Sequence, residues 1–147
     1  MRNYEIFTIG YEGRGVEEFI SQLKHFHITR LIDVREIPLS RKKGFSKSAL
    51  KERLEAEKIE YLHFKSLGSP SSIRNKLKTD GDYDYFFNAF SKYLSINMET
   101  IIEVHNYIAS GTNCLMCYER LPNKCHRSIV VNKIKEYDGN GLKIKHI

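Results

Sequence analysis

Asn113-Cys114-Leu115-Met116-Cys117-Tyr118 sets four apolar residues in a row between polar ends, with no charge among them. A strand covered on both faces reads this way, and such strands sit in the middle of parallel sheets. A polar loop follows, and then Ile129, Val130, Ile134 and Tyr137 mark a helix starting near Cys125. The same order of strand, polar loop and helix recurs upstream. Residues 4–9, Tyr-Glu-Ile-Phe-Thr-Ile, form a first β-rich run stopped by Gly10. Val16, Phe19, Ile20, Leu23 and Phe26 then fall at helical spacing, with Glu17 and Glu18 in the first turn, where the helix dipole favours them. Arg30–Val34 is a second strand. Ala49, Leu50 and Leu54 mark a second helix, capped by Ser46 or Ser48, and Ile59–Phe64 is a third strand. Residues 71–110 are helical in character, with one apolar face at Tyr85, Phe86, Ala89, Phe90, Tyr93 and Leu94 and another at Ile101, Ile102, His105 and Ile108. Residues 142–147 alternate as an edge strand.

This alternation predicts an α/β fold: a three-layer, open, mainly parallel sheet of about five strands with helices on both faces. The third crossover is long enough for more than one helix. Strand order does not follow from the sequence.

The chain has 147 residues, which fits a single α/β domain over 1–147. Its 41% hydrophobic and 29% charged fractions are those of a globular protein and exclude a disordered one. No apolar run approaches the ~20 residues that span a bilayer, so no membrane partner is expected. The opening Met1-Arg2-Asn3-Tyr4-Glu5 lacks an apolar signal core, and three cysteines make an odd count. Both point to reduced thiols in a cytoplasmic protein. The net charge of +6, with a pI near 9.2, suits an anionic small-molecule or nucleic-acid substrate.

In a parallel sheet the loops that follow the strands emerge together at the carboxyl edge, where open α/β sheets bind their ligands. Those loops carry the chemistry. Glu12 and Arg14 follow the first strand; Asp33, Arg35 and Arg41 the second; His63 the third; Glu119, Cys125, His126 and Arg127 the fourth. The loops at the other edge, such as His25-Phe26-His27, are chemically bland. Glu12, Asp33, Glu119, Cys125 and His126 are therefore the candidate catalytic residues, supplying bases, an acid and a nucleophile. Arg14, Arg35, Arg41 and Arg127 are the candidate anion-binding residues.

Cys125 sits after a Pro-Asn-Lys turn at the start of the last helix, where the dipole, Lys124 and Arg127 lower a thiol pKa and favour an anion. The layout resembles that of thiol-dependent phosphatases and rhodaneses, but Arg127 follows Cys125 too closely to close the same cradle. Packing of a small buried thiol under the loop is the plainer reading. Cys114, Cys117, Cys125 and His126 offer zinc-type ligands, yet residues three apart on a strand face opposite sides, so Cys114 and Cys117 should diverge. A divalent cation at Glu12, Asp33 and Glu119 follows from no spacing rule. No metal ligand is therefore assigned, although a divalent cation or zinc is compatible with these residue types. Ser40–Lys47 carries four cations and Phe45 in eight residues. It reads equally as a phosphate grip with Phe45 stacking on a base, or as a solvated loop, and it could serve as a lid. His25, His27, His105 and His146 read as structural or solvated.

Six blocks in order carry a family likeness: Thr8-Ile9-Gly10-Tyr11-Glu12-Gly13-Arg14, Ile32-Asp33-Val34-Arg35, Ser40-Arg41-Lys42-Lys43-Gly44-Phe45, Tyr61-Leu62-His63 with Leu67-Gly68, Cys114-Leu115-Met116-Cys117-Tyr118-Glu119 and Cys125-His126-Arg127-Ser128. Together they resemble domain-of-unknown-function family 488 from about residue 4 to residue 135. The resemblance implies a small α/β domain whose signature residues fall here on Glu12, Arg14, Asp33, Arg35, Arg41, Cys117, Glu119, Cys125, His126 and Arg127. It implies no reaction.

The expected function is an enzyme, hydrolase or transferase in class, acting on a phosphorylated small molecule, nucleotide or nucleic acid at the carboxyl edge. Two other readings stand beside it. One is a non-catalytic nucleic-acid-binding module that relies on Lys42, Lys43 and Lys47. The other is a thiol redox or sensor protein using Cys117 and Cys125, whose Cα atoms must then lie within about 7 Å.

Overall fold

The computed structural model describes residues 5–139 and 141–147. Five strands form one sheet: β1 (Glu5–Gly10), β2 (Arg30–Asp33), β3 (Glu60–His63), β4 (Asn113–Cys117) and β5 (Lys143–His146). The order is β3-β2-β4-β1-β5, and every pairing is parallel. The apolar run 113–117 is the central strand, and all five of its residues are buried. Among the described residues there are six α-helices: α1 (Val16–His25), α2 (Lys47–Ala56), α3 (Ser71–Asp80), α4 (Tyr83–Ile96), α5 (Met98–Asn106) and α6 (Arg127–Tyr137). The expected α/β architecture is the observed one. Tyr4, read as the start of the first strand, lies outside the described residues.

Side chains alternate across each strand, so successive residues enter opposite cores. Ile6, Ile32, Leu115 and Cys117 pack with Phe90, Leu94, Ile101, Val130 and Ile134 from α4, α5 and α6. Phe7, Leu31, Cys114 and Met116 pack on the other face with Phe19, Leu23, Leu50 and Leu54 from α1 and α2. Cys114 and Cys117 therefore diverge as strand geometry requires. The third crossover holds three helices. Of these, α3 buries no residue and packs beside α4. Edge strand β5 exposes Lys143 and Lys145, and charges on an edge discourage further strand pairing.

Two local expectations shift. The last helix begins at Arg127, so Cys125 precedes its first turn and does not open it. Ser46 occupies the N-cap of α2 but makes no cap hydrogen bond. Its Oγ donates to the Ser40 carbonyl (3.1 Å) and accepts from the Ser40 amide (3.0 Å), closing the basic loop instead.

Candidate active site at the carboxyl edge

The sheet register brings the strand ends together. Gly10 lies opposite Cys117, Asp33 opposite both Met116 and His63, and Thr8 opposite His146. The loops after β1, β2 and β4 meet α3 around a cavity of about 340 Å³. Arg35, Glu119, His126 and Cys117 line it, joined by Tyr11, Tyr118, Glu36, Arg74, Lys78 and Lys124. Ile37, Leu39, Leu77 and Phe86 add apolar wall.

Asp33 is fully buried beneath this cavity and does not reach its surface. Its Oδ1 accepts from the Arg35 amide (3.0 Å) and Nε (2.9 Å), and its Oδ2 accepts from Arg35 Nη2 (2.7 Å) and the Tyr61 hydroxyl. Burial alone would lower the Arg35 pKa, but the hydrogen bond and charge of Asp33 hold it above its usual range. Burial, and then the Asp33 carboxylate, push the Tyr61 hydroxyl above the usual phenol range. Asp33 thus orients Arg35, with both carboxylate oxygens engaged in hydrogen bonds. Arg35 also donates from Nη1 to the Phe45 carbonyl (2.7 Å), which ties the basic loop to the sheet.

Phe45 corrects the expectation of a base-stacking residue. It is 0% exposed, stacks on Tyr11 with ring centroids 4.5 Å apart, and meets Phe19 edge-on. Lys42 is likewise engaged, its Nζ donating to the Tyr11 carbonyl (3.0 Å). The segment is anchored to the sheet edge through Phe45 and Lys42 and is not a free arm.

The other predicted residues divide. Glu119 and His126 face the cavity. Burial pushes the Glu119 carboxyl above the usual carboxylate range, and Glu12 adds to this while Arg127 opposes it. His126 is buried and its Nε2 donates to the Val34 carbonyl (2.7 Å), leaving Nδ1 3.8 Å from Cys125 Sγ. Cys125 is bonded to Cys117, with Cα atoms 7.4 Å apart, just beyond the ~7 Å expected for such a pair. Arg127 is 1% exposed. Its Nη2 donates to the Arg120 carbonyl (3.0 Å) and its Nη1 to Cys117 Sγ (3.4 Å) and the Glu119 carbonyl. It fastens the β4–α6 loop, and burial brings its pKa down to about 10.

Three residues stand apart. Glu12 is exposed and does not line the cavity; its Oε1 accepts from the Arg120 amide (3.0 Å). Arg14 turns to the far side of the β4–α6 loop, donates to the Ile147 carbonyl (2.8 Å), and lines a second cavity of about 490 Å³ with Arg120, Arg127 and His146. Arg41 is exposed, with no hydrogen bond or ion pair to another described residue. A glutamate, an arginine and another arginine read as one cluster therefore separate, because a loop residue can point to either side of its backbone. Sequence reasoning missed Arg74 and Lys78 on α3. Arg74 pairs with Glu36 at 3.0 Å. No sequence signal marks either residue, because the position of α3 beside the rim is a tertiary fact.

Burial pushes the His126 pKa down to about 4. The unfolded chain, near the ordinary 6.5, then binds more protons than the folded one between those values. Stability should accordingly fall as pH drops from about 6.5 to about 4, by up to about 3 kcal/mol from this residue. Urea midpoints at pH 7 and pH 4.5 check this: the difference should shrink in His126→Gln, and an equal difference in both proteins would contradict it.

The family model described as Domain of unknown function DUF488 matches residues 15–134. The chain belongs to this family. The Thr8–Arg14 block lies before the matched span. The blocks around Asp33, Cys117 and Cys125 lie within it, so the DUF488 match covers the cavity walls contributed by β2, α3, β4 and the start of α6. No curated protein and no solved structure matches the chain. Among the described residues of this DUF488 protein, no helix is long and apolar enough to cross a membrane.

Proposed function

We propose that the protein is an enzyme, a hydrolase or phosphoryl transferase, acting on a phosphorylated small molecule or nucleotide in the 340 Å³ cavity. The observation that carries this reading is the charge of the lining. Four cations (Arg35, Arg74, Lys78 and Lys124) face two carboxylates (Glu36 and Glu119). Asp33 occupies Arg35 and Glu36 occupies Arg74. Lys78 and Lys124 have no carboxylate partner among the described residues, so their charge is available to a phosphate. Tyr11 and Tyr118 offer ring faces for a base or sugar.

Glu119 is the base in this scheme, replacing Glu12. A carboxyl with a raised pKa is poised to take the proton of an attacking water or hydroxyl and return it to the leaving group. The lysines and Arg35 stabilise negative charge spread over the phosphoryl oxygens, where most of the rate gain in such transfers arises. The bonding of Cys117 to Cys125 favours a second reading, in which this pair, with Cys117 on the cavity lining, undergoes redox exchange.

A panel of phosphomonoesters and nucleoside phosphates, assayed for binding and for product release, tests the first reading. At least one member should bind in a salt-sensitive way, with affinity falling about 10-fold in Lys124→Ala, the loss of roughly one charged hydrogen bond. Glu119→Gln should abolish turnover at nearly unchanged affinity. Full turnover in Glu119→Gln, or no binding of any panel member, would remove the assignment.

A further inference from the structure

Cys117, Glu119, Cys125 and His126 each offer one ligand atom, and these atoms all lie within 4.8 Å of one another. Cys117 and Cys125 come from opposite ends of the β4–α6 loop, and Glu119 and His126 stand beside them. We propose that, with the Cys117–Cys125 bond reduced, these four residues hold one divalent transition metal ion, zinc being the best match to the ligand set. The inference deepens the functional reading, since the site forms part of the same cavity wall, but it does not depend on a phosphorylated substrate; with the ion bound, Glu119 is a ligand and acts as the base only once a substrate oxygen or water displaces it.

The spacing fits. In a zinc tetrahedron with bonds of about 2.3 Å to sulfur and 2.0–2.1 Å to nitrogen or oxygen, ligand atoms stand about 3.5–3.6 Å apart across a sulfur–oxygen or sulfur–nitrogen edge. Here Glu119 Oε2 is 3.6 Å from Cys117 Sγ, and His126 Nδ1 is 3.8 Å from Cys125 Sγ. The sulfur–sulfur edge must open, from about 2.05 Å in a disulfide to about 3.8 Å around zinc, and the remaining edges are no longer than 4.8 Å.

The surroundings fit as well. Metal-binding histidines donate their other ring N–H to a fixed acceptor. His126 does so through Nε2 to the Val34 carbonyl, which leaves the Nδ1 lone pair for the ion. Arg127 Nη1 lies 3.4 Å from Cys117 Sγ, and the Arg127 amide donates to Cys125 Sγ at 3.4 Å. N–H donors aimed at sulfur stabilise thiolates. Two thiolates and one carboxylate carry three negative charges, which a dication and the Arg127 guanidinium balance. Cys114, the other zinc-type residue suggested by the sequence, lies in the opposite core and takes no part. Glu119 is the half-exposed member of the set, so it is the ligand that a substrate oxygen or water could replace.

The redox step balances simply. A dithiol or phosphine reductant delivers two electrons, the disulfide takes up two protons to become two thiols, and metal binding releases both protons to solvent.

Cobalt(II) reads the site directly. Reduced, chelator-treated protein should take up one Co²⁺ per chain, with thiolate-to-cobalt charge-transfer bands and the visible bands of a tetrahedral ion, and Zn²⁺ should erase both. The oxidised protein should show neither. Cys125→Ser, checked for folding by circular dichroism, should bind at least about 100-fold more weakly. Glu119→Gln, a rim change, should keep the charge-transfer bands and alter the visible ones. Absence of cobalt bands in the reduced protein, or undiminished bands in Cys125→Ser, would overturn the site. Unaltered visible bands in Glu119→Gln would remove the fourth ligand. Metal uptake is read without substrate, so loss of this site and failure of the phosphate panel are separate results.

Discussion

Asp33→Ala should destabilise the fold by about 3–5 kcal/mol, the cost of leaving one buried charge without its partner. Asp33 is 0% exposed and Arg35 only 6%, so water replaces the lost carboxylate at Arg35 poorly. Tyr61 would lose its acceptor at the same time. That cost is a large share of the ~5–15 kcal/mol that holds a typical domain together. It should appear as a lower urea midpoint, with slope nearly unchanged. A double change, Asp33→Leu with Arg35→Met, should recover much of the loss, since apolar residues of similar volume often substitute for a buried ion pair. Recovery of stability without recovery of turnover would separate the two roles of Arg35, which both holds the Phe45 carbonyl and faces the cavity. A single-mutant cost below about 1 kcal/mol, the range of exposed ion pairs, would show that the pair is not buried as described.

Gly10→Ala should be at least as damaging, and should also disable the site. A Cβ on Gly10 would collide with the Glu119 carbonyl and come within 2.8 Å of the Arg120 Cα. Both are backbone, so no side-chain rotation relieves the clash. Strand β1 or the β4–α6 loop must move, at a cost above about 3 kcal/mol. If the loop moves, Glu119 leaves the cavity and Lys124 shifts with it, while Arg35 and Lys78 stay, so turnover should fall further than phosphate affinity. Gly13→Ala is the comparison. Gly13 has φ +75°, and its nearest new contact is the flexible end of Arg120 at 3.4 Å. It should cost about 1–2 kcal/mol from left-handed backbone strain and leave Glu119 in place. Equal stability of Gly10→Ala and wild type would contradict the close packing of β1 against the loop.

The arrangement ties stability to chemistry at one strand end. Arg127 and Gly10 together set the β4–α6 loop, one by donating hydrogen bonds to its carbonyls and the other by giving it room. Glu119, Cys117, Cys125 and His126 all depend on that loop's path. Of the groups in the proposed phosphate site, Lys78 depends instead on α3 and Arg35 on the end of β2, whereas Lys124 moves with the loop. A change in the loop should therefore affect proton transfer or metal uptake more than anion affinity.

Much of the fold was legible along the chain. Residues 113–117 are apolar on both faces because helices cover both faces of a central strand, and strict alternation of side chains separates Cys114 from Cys117 without any knowledge of the partners. Parallel strands force their following loops to one rim, so the sequence alone determined which segments meet there. It did not determine which side chains of those segments meet. Phe45 entered the core because Tyr11 and Phe19 happened to offer it faces, Arg14 turned to the other side of the β4–α6 loop, and Glu12 stayed in solvent. Strand order, the docking of α3 with Arg74 and Lys78, and the meeting of Cys117 with Cys125 were decided only by the tertiary structure. The physical reason is range: strand and helix patterns are written in neighbours a few residues apart, whereas a loop side chain takes its direction from groups that only the folded chain brings near it.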